Sequence, residues 1–246
     1  MNWYCNYTKV NDDDKEICQY MRLDYLFQLL ETQKYHVTRR REFEDIDEHF
    51  ANKSRLFRFL PVGENTHTNK TILTNQESTK SIDNLIPESD IIHCPTSCWT
   101  LQKEENYLMW KTYATEFGIR IKSTIKNFIA SLKLDLGEDL KNKVVCGEMS
   151  YFSKIYPYTE DDSQLFYKNK VYSGEEEFRF YFYLSDEDDP NRTKTSHLLI
   201  PIDTKVLIDE ILLSPFIGKE AANKFARVIK CSYGIDNVKQ SNIKIR

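Results

Sequence analysis

Apolar positions near the start of the chain recur first at helical and then at strand spacing. In "CQYMRLDYLFQLLETQKYHVT", Leu23, Leu26, Phe27 and Leu30 mark one helical face and "YHV" reads as a short strand, so the segment predicts strand, helix, strand. "RRREFEDIDEHF" then sets three arginines beside a dense acidic stretch, the pattern of a solvated turn entering a helix. From Gly63 to Asn84 the chain is polar, rich in Thr and Asn and almost without core residues, which predicts a flexible insertion at 63–84.

Beyond it, "IIHCPTSCWTL" has strand character and leads into "QKEENYLMWKTYATEFGIRI". There Trp110, Tyr113, Ala114 and Phe117 fall on one helical face, Gly118 ends the helix and "IRI" opens a strand. "STIKNFIASLKLDL" repeats the pattern, with Ser123 as N-cap and Ile125, Phe128, Ile129 and Leu132 as the buried stripe. "KVVCGEMSYF" predicts a strand, "DDSQLFYKNK" a helix and "EEEFRFYFYL" a long strand. "SDEDDPNRTKTS" reads as a hairpin or loop, "HLLIPI" and "KVLIDEILLSP" as strands, and Gly218 to Lys230 as a helix with Ala222, Phe225, Ala226 and Ile229 inside; "SNIKIR" should close the sheet. Hairpins mix with helical excursions without strict alternation. The order therefore predicts an α+β fold: one domain over 1–246, with a mixed, mostly antiparallel sheet and helices packed around it.

Composition narrows the function classes. The balance of 34 basic and 38 acidic residues leaves a net charge of −4, which gives no global drive toward nucleic acid or an anionic membrane. No apolar run reaches the roughly 18–20 residues of a membrane span, and "MNWYCNYTKV" lacks the basic start and apolar middle of a signal peptide, so a cytoplasmic protein is expected. Six scattered cysteines read as reduced thiols. "HCPTSC" makes a short cluster, but without a second clear pair it reads as buried thiols and no metal is assigned. The nearest two of the seven glycines are Gly137 and Gly147, which excludes a glycine-rich phosphate cradle.

The unusual stretch is "VYSGEEEFRFYFYL", a run of glutamates entering an aromatic strand. Strand alternation would put Glu175, Glu177 and Arg179 on one side, and Glu176, Phe178 and Phe180 on the other. Two readings of the charged row stand side by side. It faces solvent, or it lines a cleft in which Arg179 or Lys168 partly neutralises the acids and Tyr172 forms a wall. Two such carboxylates can then divide the work, one positioning a substrate hydroxyl and the other activating a nucleophile.

Three sets of residues carry a family resemblance: Cys98, Trp99 and Thr100; Met109, Trp110, Tyr113, Ala114 and Gly118; and Lys168, Tyr172, Glu175, Glu177 and Arg179. With Tyr20, Phe43, Asp45 and Glu48 near the start, they resemble the bacterial Domain of Unknown Function 2971 family over most of the chain. Tyr172 stands where that family usually has Trp, Thr100 where it has Ser, and Gln19 where a basic residue is frequent. The resemblance implies an α+β bacterial cytosolic domain of a kind found among mobile and phage-defence genes. The order of parts also resembles ADP-ribosyltransferase-like folds. That analogy makes Glu177 the glutamate that favours an oxocarbenium-like state, Glu175 the acceptor-activating partner, Thr100 the ribose contact and Tyr113 or Trp110 the stacking ring, with NAD as substrate and no cofactor required. Core packing is the competing role for Trp110 and Tyr113. Two rival functions remain: a nucleic-acid-acting effector using Arg39, Arg40, Arg41, Arg55 and Arg58, and a non-catalytic sensor or protein-partner-binding module whose Glu-x-Glu-x-Arg row is structural.

Overall fold

The computed structural model describes residues 15–43, 93–134, 143–152 and 166–245, together with the backbone of Tyr4–Cys5. These residues form an α+β fold built on a mixed, mostly antiparallel sheet. The predicted insertion at Gly63–Asn84 lies outside the described residues, as do Arg55 and Arg58.

Short β1 (Tyr4–Cys5) is followed by the predicted strand–helix–strand unit: β2 (Glu16–Arg22), α1 (Leu23–Thr32) and β3 (Lys34–Arg39). Helix α1 buries Leu23, Leu26, Leu29 and Leu30 and ends where Gln33 turns left-handed (φ 54°), its N–H donating to the Leu29 carbonyl. The predicted solvated turn is overturned at Arg39 and Arg40, and the helix predicted to follow it lies outside the described residues. Arg40–Glu42 is a single 3₁₀ turn, and the Arg39 and Arg40 side chains are buried. The reason is a partner distant in sequence: Arg39 meets Asp189 in a two-pronged pair (2.8 and 2.7 Å) and donates further to the Thr195 and His93 carbonyls. This pair ties the segment that carries Asp189 to β3.

Strand β4 (Pro95–Thr100) has an unusual pair of edges. One edge runs antiparallel to β9 (Glu177–Tyr183) from Thr96↔Tyr181 to Thr100↔Glu177. The other is divided: β2 meets it only at Cys18↔Thr100, whereas β3 meets it at Thr38↔Thr96 and Arg39↔Pro95. Between those ends β2 and β3 part, and a fork opens beside Ser97, Cys98 and Trp99. Strand β5 (Gly118–Thr124) pairs with the whole of β2, and β6 (Lys143–Glu148) with β9.

The predicted aromatic helix is shorter and wider than its spacing suggested. Only Tyr107–Met109 (α2) is α-helical, and Trp110–Ala114 continues as a π turn. Trp110 and Ala114 are buried, but Tyr113 and Phe117 are exposed, so the four do not share a buried face. Gly118 is required by this close return, since a Cβ there would lie 2.1 Å from the Ala114 carbonyl oxygen. Helix α3 (Ile125–Ser131) is capped by Thr124, whose side chain accepts from the Asn127 N–H, and Ser123 is instead a buried strand residue. The stripe Ile125, Phe128, Ile129 and Leu132 is buried as predicted. Phe128 seats the main core, with ring contacts to Tyr35, Trp99, Phe180 and Phe182.

"KVVCGEMSYF" forms two strands, β6 and β7 (Ser150–Phe152). Of "DDSQLFYKNK" the described part is not a helix but β8 (Tyr167–Asn169), parallel to β7, leading into a 3₁₀ segment Lys170–Glu175. Strand β10 (His197–Pro201), short α4 (Thr204–Leu207), β11 (Glu210–Leu213) and α5 (Lys219–Tyr233) follow. Among the described residues the last strand is β12 (Val238–Gln240), parallel to β11, rather than "SNIKIR". Among the described residues, no helix is long and apolar enough to cross a membrane.

Candidate acidic site

The fork along β4 opens into a cavity of about 410 Å³ whose walls include Thr100, Tyr113, Lys168, Tyr172, Glu175, Glu177 and Arg179. Seven of the eight residues singled out in the sequence therefore meet in one place. The eighth, Trp110, does not. It is fully buried behind the wall, packs edge-on against Tyr20 (4.9 Å) and donates its indole N–H to Glu105, so its role is packing.

The two glutamates converge for a reason other than strand alternation. Glu177 opens β9, directly opposite Thr100, whereas Glu175 closes the preceding 3₁₀ segment and Glu176 between them is left-handed (φ 45°). The turn swings Glu175 back toward its neighbour, and Thr100 fixes it there by donating its hydroxyl to the Glu175 carbonyl at 2.6 Å. Thr100 thus spends its donor on shaping the acidic turn. Lys168, carried in by β8, bridges both side chains, with Nζ 2.7 Å from Glu175 Oε2 and 3.1 Å from Glu177 Oε2. Its Nζ also lies 4.5 Å from the Tyr172 ring centroid. Arg179, two residues along β9, donates from Nη2 to the same Glu177 oxygen at 2.8 Å and packs beneath the Phe43 ring.

Burial alone would raise the Glu177 carboxyl, but the adjacent Arg179 and Lys168 charges and their hydrogen bonds outweigh it and hold the group down at about 2. Glu177 is therefore an ionised carboxylate beside a cavity. Burial would likewise lower Lys168, yet the two glutamates raise it well above the ordinary lysine range. Tyr113 donates its hydroxyl to Glu175 Oε1 at 2.6 Å, and burial together with that bond pushes the phenol far up. Behind the strand, the Tyr151 hydroxyl accepts from the Glu177 N–H, with burial raising it to about 12.

Several cavity residues carried no sequence signal of their own. Tyr35 donates to Gln19 Oε1 and shares a hydrogen bond with Ser97, while Gln19 Nε2 donates to the Cys98 carbonyl at the fork. Gln19, Cys98 and Phe43 appeared in the family pattern, but Tyr35, His36 and Ser97 could be found only from the divergence of β2 and β3. The sequence rival based on a basic edge loses its first members, since Arg39 and Arg40 are buried and Arg41 donates to the Thr193 and Thr195 carbonyls. Cys94 of the "HCPTSC" cluster is buried and donates its thiol to the Phe182 carbonyl. Comparison of the chain with family models, curated proteins and solved structures returns no match.

Proposed function

We propose that the cavity handles NAD, as the acidic site of an ADP-ribosyltransferase-like enzyme. The observation that carries this reading is Glu177, held ionised in the cavity wall on a strand directly paired with β4 at Thr100, with a second glutamate beside it. In the reaction, the bond from the ribose C1′ to the nicotinamide nitrogen breaks and its electron pair leaves with nicotinamide. The sugar carbon becomes oxocarbenium-like, and the fixed negative charge of Glu177 stabilises it. An acceptor oxygen forms the new bond to C1′ and gives its proton to Glu175, which the Tyr113 hydroxyl and Lys168 hold in place. Tyr172 and Tyr113 supply the flat walls against which nicotinamide packs. The family resemblance adds a biological setting, a bacterial effector of the toxin or phage-defence type.

The test is nicotinamide release from NAD by the purified protein, with and without candidate acceptors. The reading predicts release by the wild type and a drop of at least roughly 100-fold in Glu177→Gln. Failure of the wild type to bind or consume NAD would sink it. A second reading has its own support: Lys168, Arg179 and the two glutamates satisfy one another, as in a structural ion network within a sensor or partner-binding module. In that case Glu177→Gln lowers stability and changes no chemistry.

A further inference from the structure

A second cavity, of about 280 Å³, adjoins the first and shares Gln19, Tyr20, Tyr35, His36, Thr38 and Tyr113 with it. Apart from Tyr113 it is lined by the β2–α1–β3 unit, so the two are compartments of one cleft that runs along the fork and meets at Tyr113. Their charges differ. The first compartment carries Glu42, Glu175 and Glu177 against Lys168 and Arg179, whereas the second has Arg22 and Lys34 and no acidic residue in its wall.

The cations of the second compartment are in a state to bind. Lys34 is exposed and makes no ion pair among the described residues. Arg22 is engaged by Asp24 through Nε and Nη2, a surface pair worth little in water, which leaves Nη1 outside the pair. Beside them stands Tyr25, 43% exposed, whose ring lies 5.6 Å from the Arg22 guanidinium and 5.6 Å from His36. His36 is itself stacked on His197 at 4.4 Å, which fixes its plane. Two cations next to an accessible aromatic face, in a hollow whose wall has no acidic residue, match one ligand chemistry: a phosphate attached to a planar base. The size agrees, because the first compartment alone lies in the lower part of the roughly 300–1,000 Å³ range of ligand pockets and the second extends it.

Resting on the reading of the main cavity as an NAD site, we infer that this second compartment is a nucleoside-phosphate subsite, with Arg22 and Lys34 on the phosphate and Tyr25 on the base. The occupant is either the adenylate half of the same dinucleotide or a separate nucleotide presented as acceptor.

Calorimetric titration of the full chain with AMP, nicotinamide riboside and NAD tests this. AMP binds the wild type, and Lys34→Glu and Tyr25→Ala each weaken it, the first by roughly tenfold or more, as expected when a charged hydrogen bond is lost. Nicotinamide riboside, which carries no phosphate, binds all three proteins alike. Both substituted side chains are exposed, so the variants fold. If NAD displaces AMP, the subsite holds the second half of the dinucleotide; if the two bind together, it holds a separate nucleotide. No AMP binding at millimolar concentration, or equal binding by wild type and both variants, overturns the subsite while leaving the main cavity's reading intact. Loss of AMP binding in Lys34→Glu, together with no nicotinamide release from NAD by any of the three proteins, upholds the subsite and overturns the reading of the main cavity.

Discussion

Two buried ion clusters sit at opposite ends of β4, and they are built differently. At Pro95, Arg39 makes five hydrogen bonds: two to Asp189, one each to the Thr195 and His93 carbonyls, and one to the Thr195 hydroxyl. The void beside Asp189 is about 10 Å³, room for no more than a single water. At Thr100, Glu177 takes Lys168 and Arg179 on one oxygen, and the cluster forms a wall of a cavity of about 410 Å³. The same chemistry serves closure in one place and leaves a charged surface to a cavity in the other. Burial of charge is therefore a poor marker of a site by itself. What separates the two is whether the bonded group faces packed chain or open volume.

Substitutions can sharpen that contrast. Arg39→Ala should have the largest effect, about 3–5 kcal/mol of lost stability in urea unfolding, because Asp189 is left charged and buried without its partner. Trp110→Ala should cost a similar amount, about 3–5 kcal/mol, by opening a cavity behind Tyr20, and NAD affinity in the folded fraction should be kept. Glu177→Gln should cost less, about 1–3 kcal/mol, while abolishing nicotinamide release. If it destabilises as much as Arg39→Ala and leaves ligand binding untouched, the two clusters are equivalent and the contrast is wrong.

The acid limb of stability gives a finer probe. The folded Glu177 carboxyl lies at about 2, below its ordinary value of 4.5, so its contribution is fully present above about pH 4.5 and is lost as pH falls toward 2. Denaturant unfolding between those values should show a decline on the order of 3 kcal/mol that is missing in Glu177→Gln. Tyr113→Phe should change least, under about 1 kcal/mol, since it removes one hydrogen bond from a side chain 42% exposed. Its effect should appear in turnover, through the freed Glu175 oxygen.

What could be read from the chain follows the range of the interactions. Helix α1 and the α3 stripe were legible because their apolar spacing is local and the core simply accepts it. The meeting of the two glutamates was legible too, but partly for the wrong reason. Alternation predicted that Glu175 and Glu177 share a strand face, whereas a left-handed Glu176 and the Thr100 hydroxyl bring them together. The Arg39 turn was misread because Asp189, its partner, lies 150 residues away and leaves no local trace. The aromatic helix was misjudged because a π turn has a different period from the one assumed. Tyr35 and Ser97 could not be picked out, since a fork between strands is a property of pairing and not of any segment's pattern.

The tines of that fork are pinned by separate neighbours, β2 to β5 through seven residue pairs and β3 to β10 through five. Shutting the gap would mean unzipping one of these ladders, so the aperture stands open before any ligand arrives. Association should accordingly be a single fast step whose observed rate climbs linearly with concentration, without the plateau that a slow gate imposes.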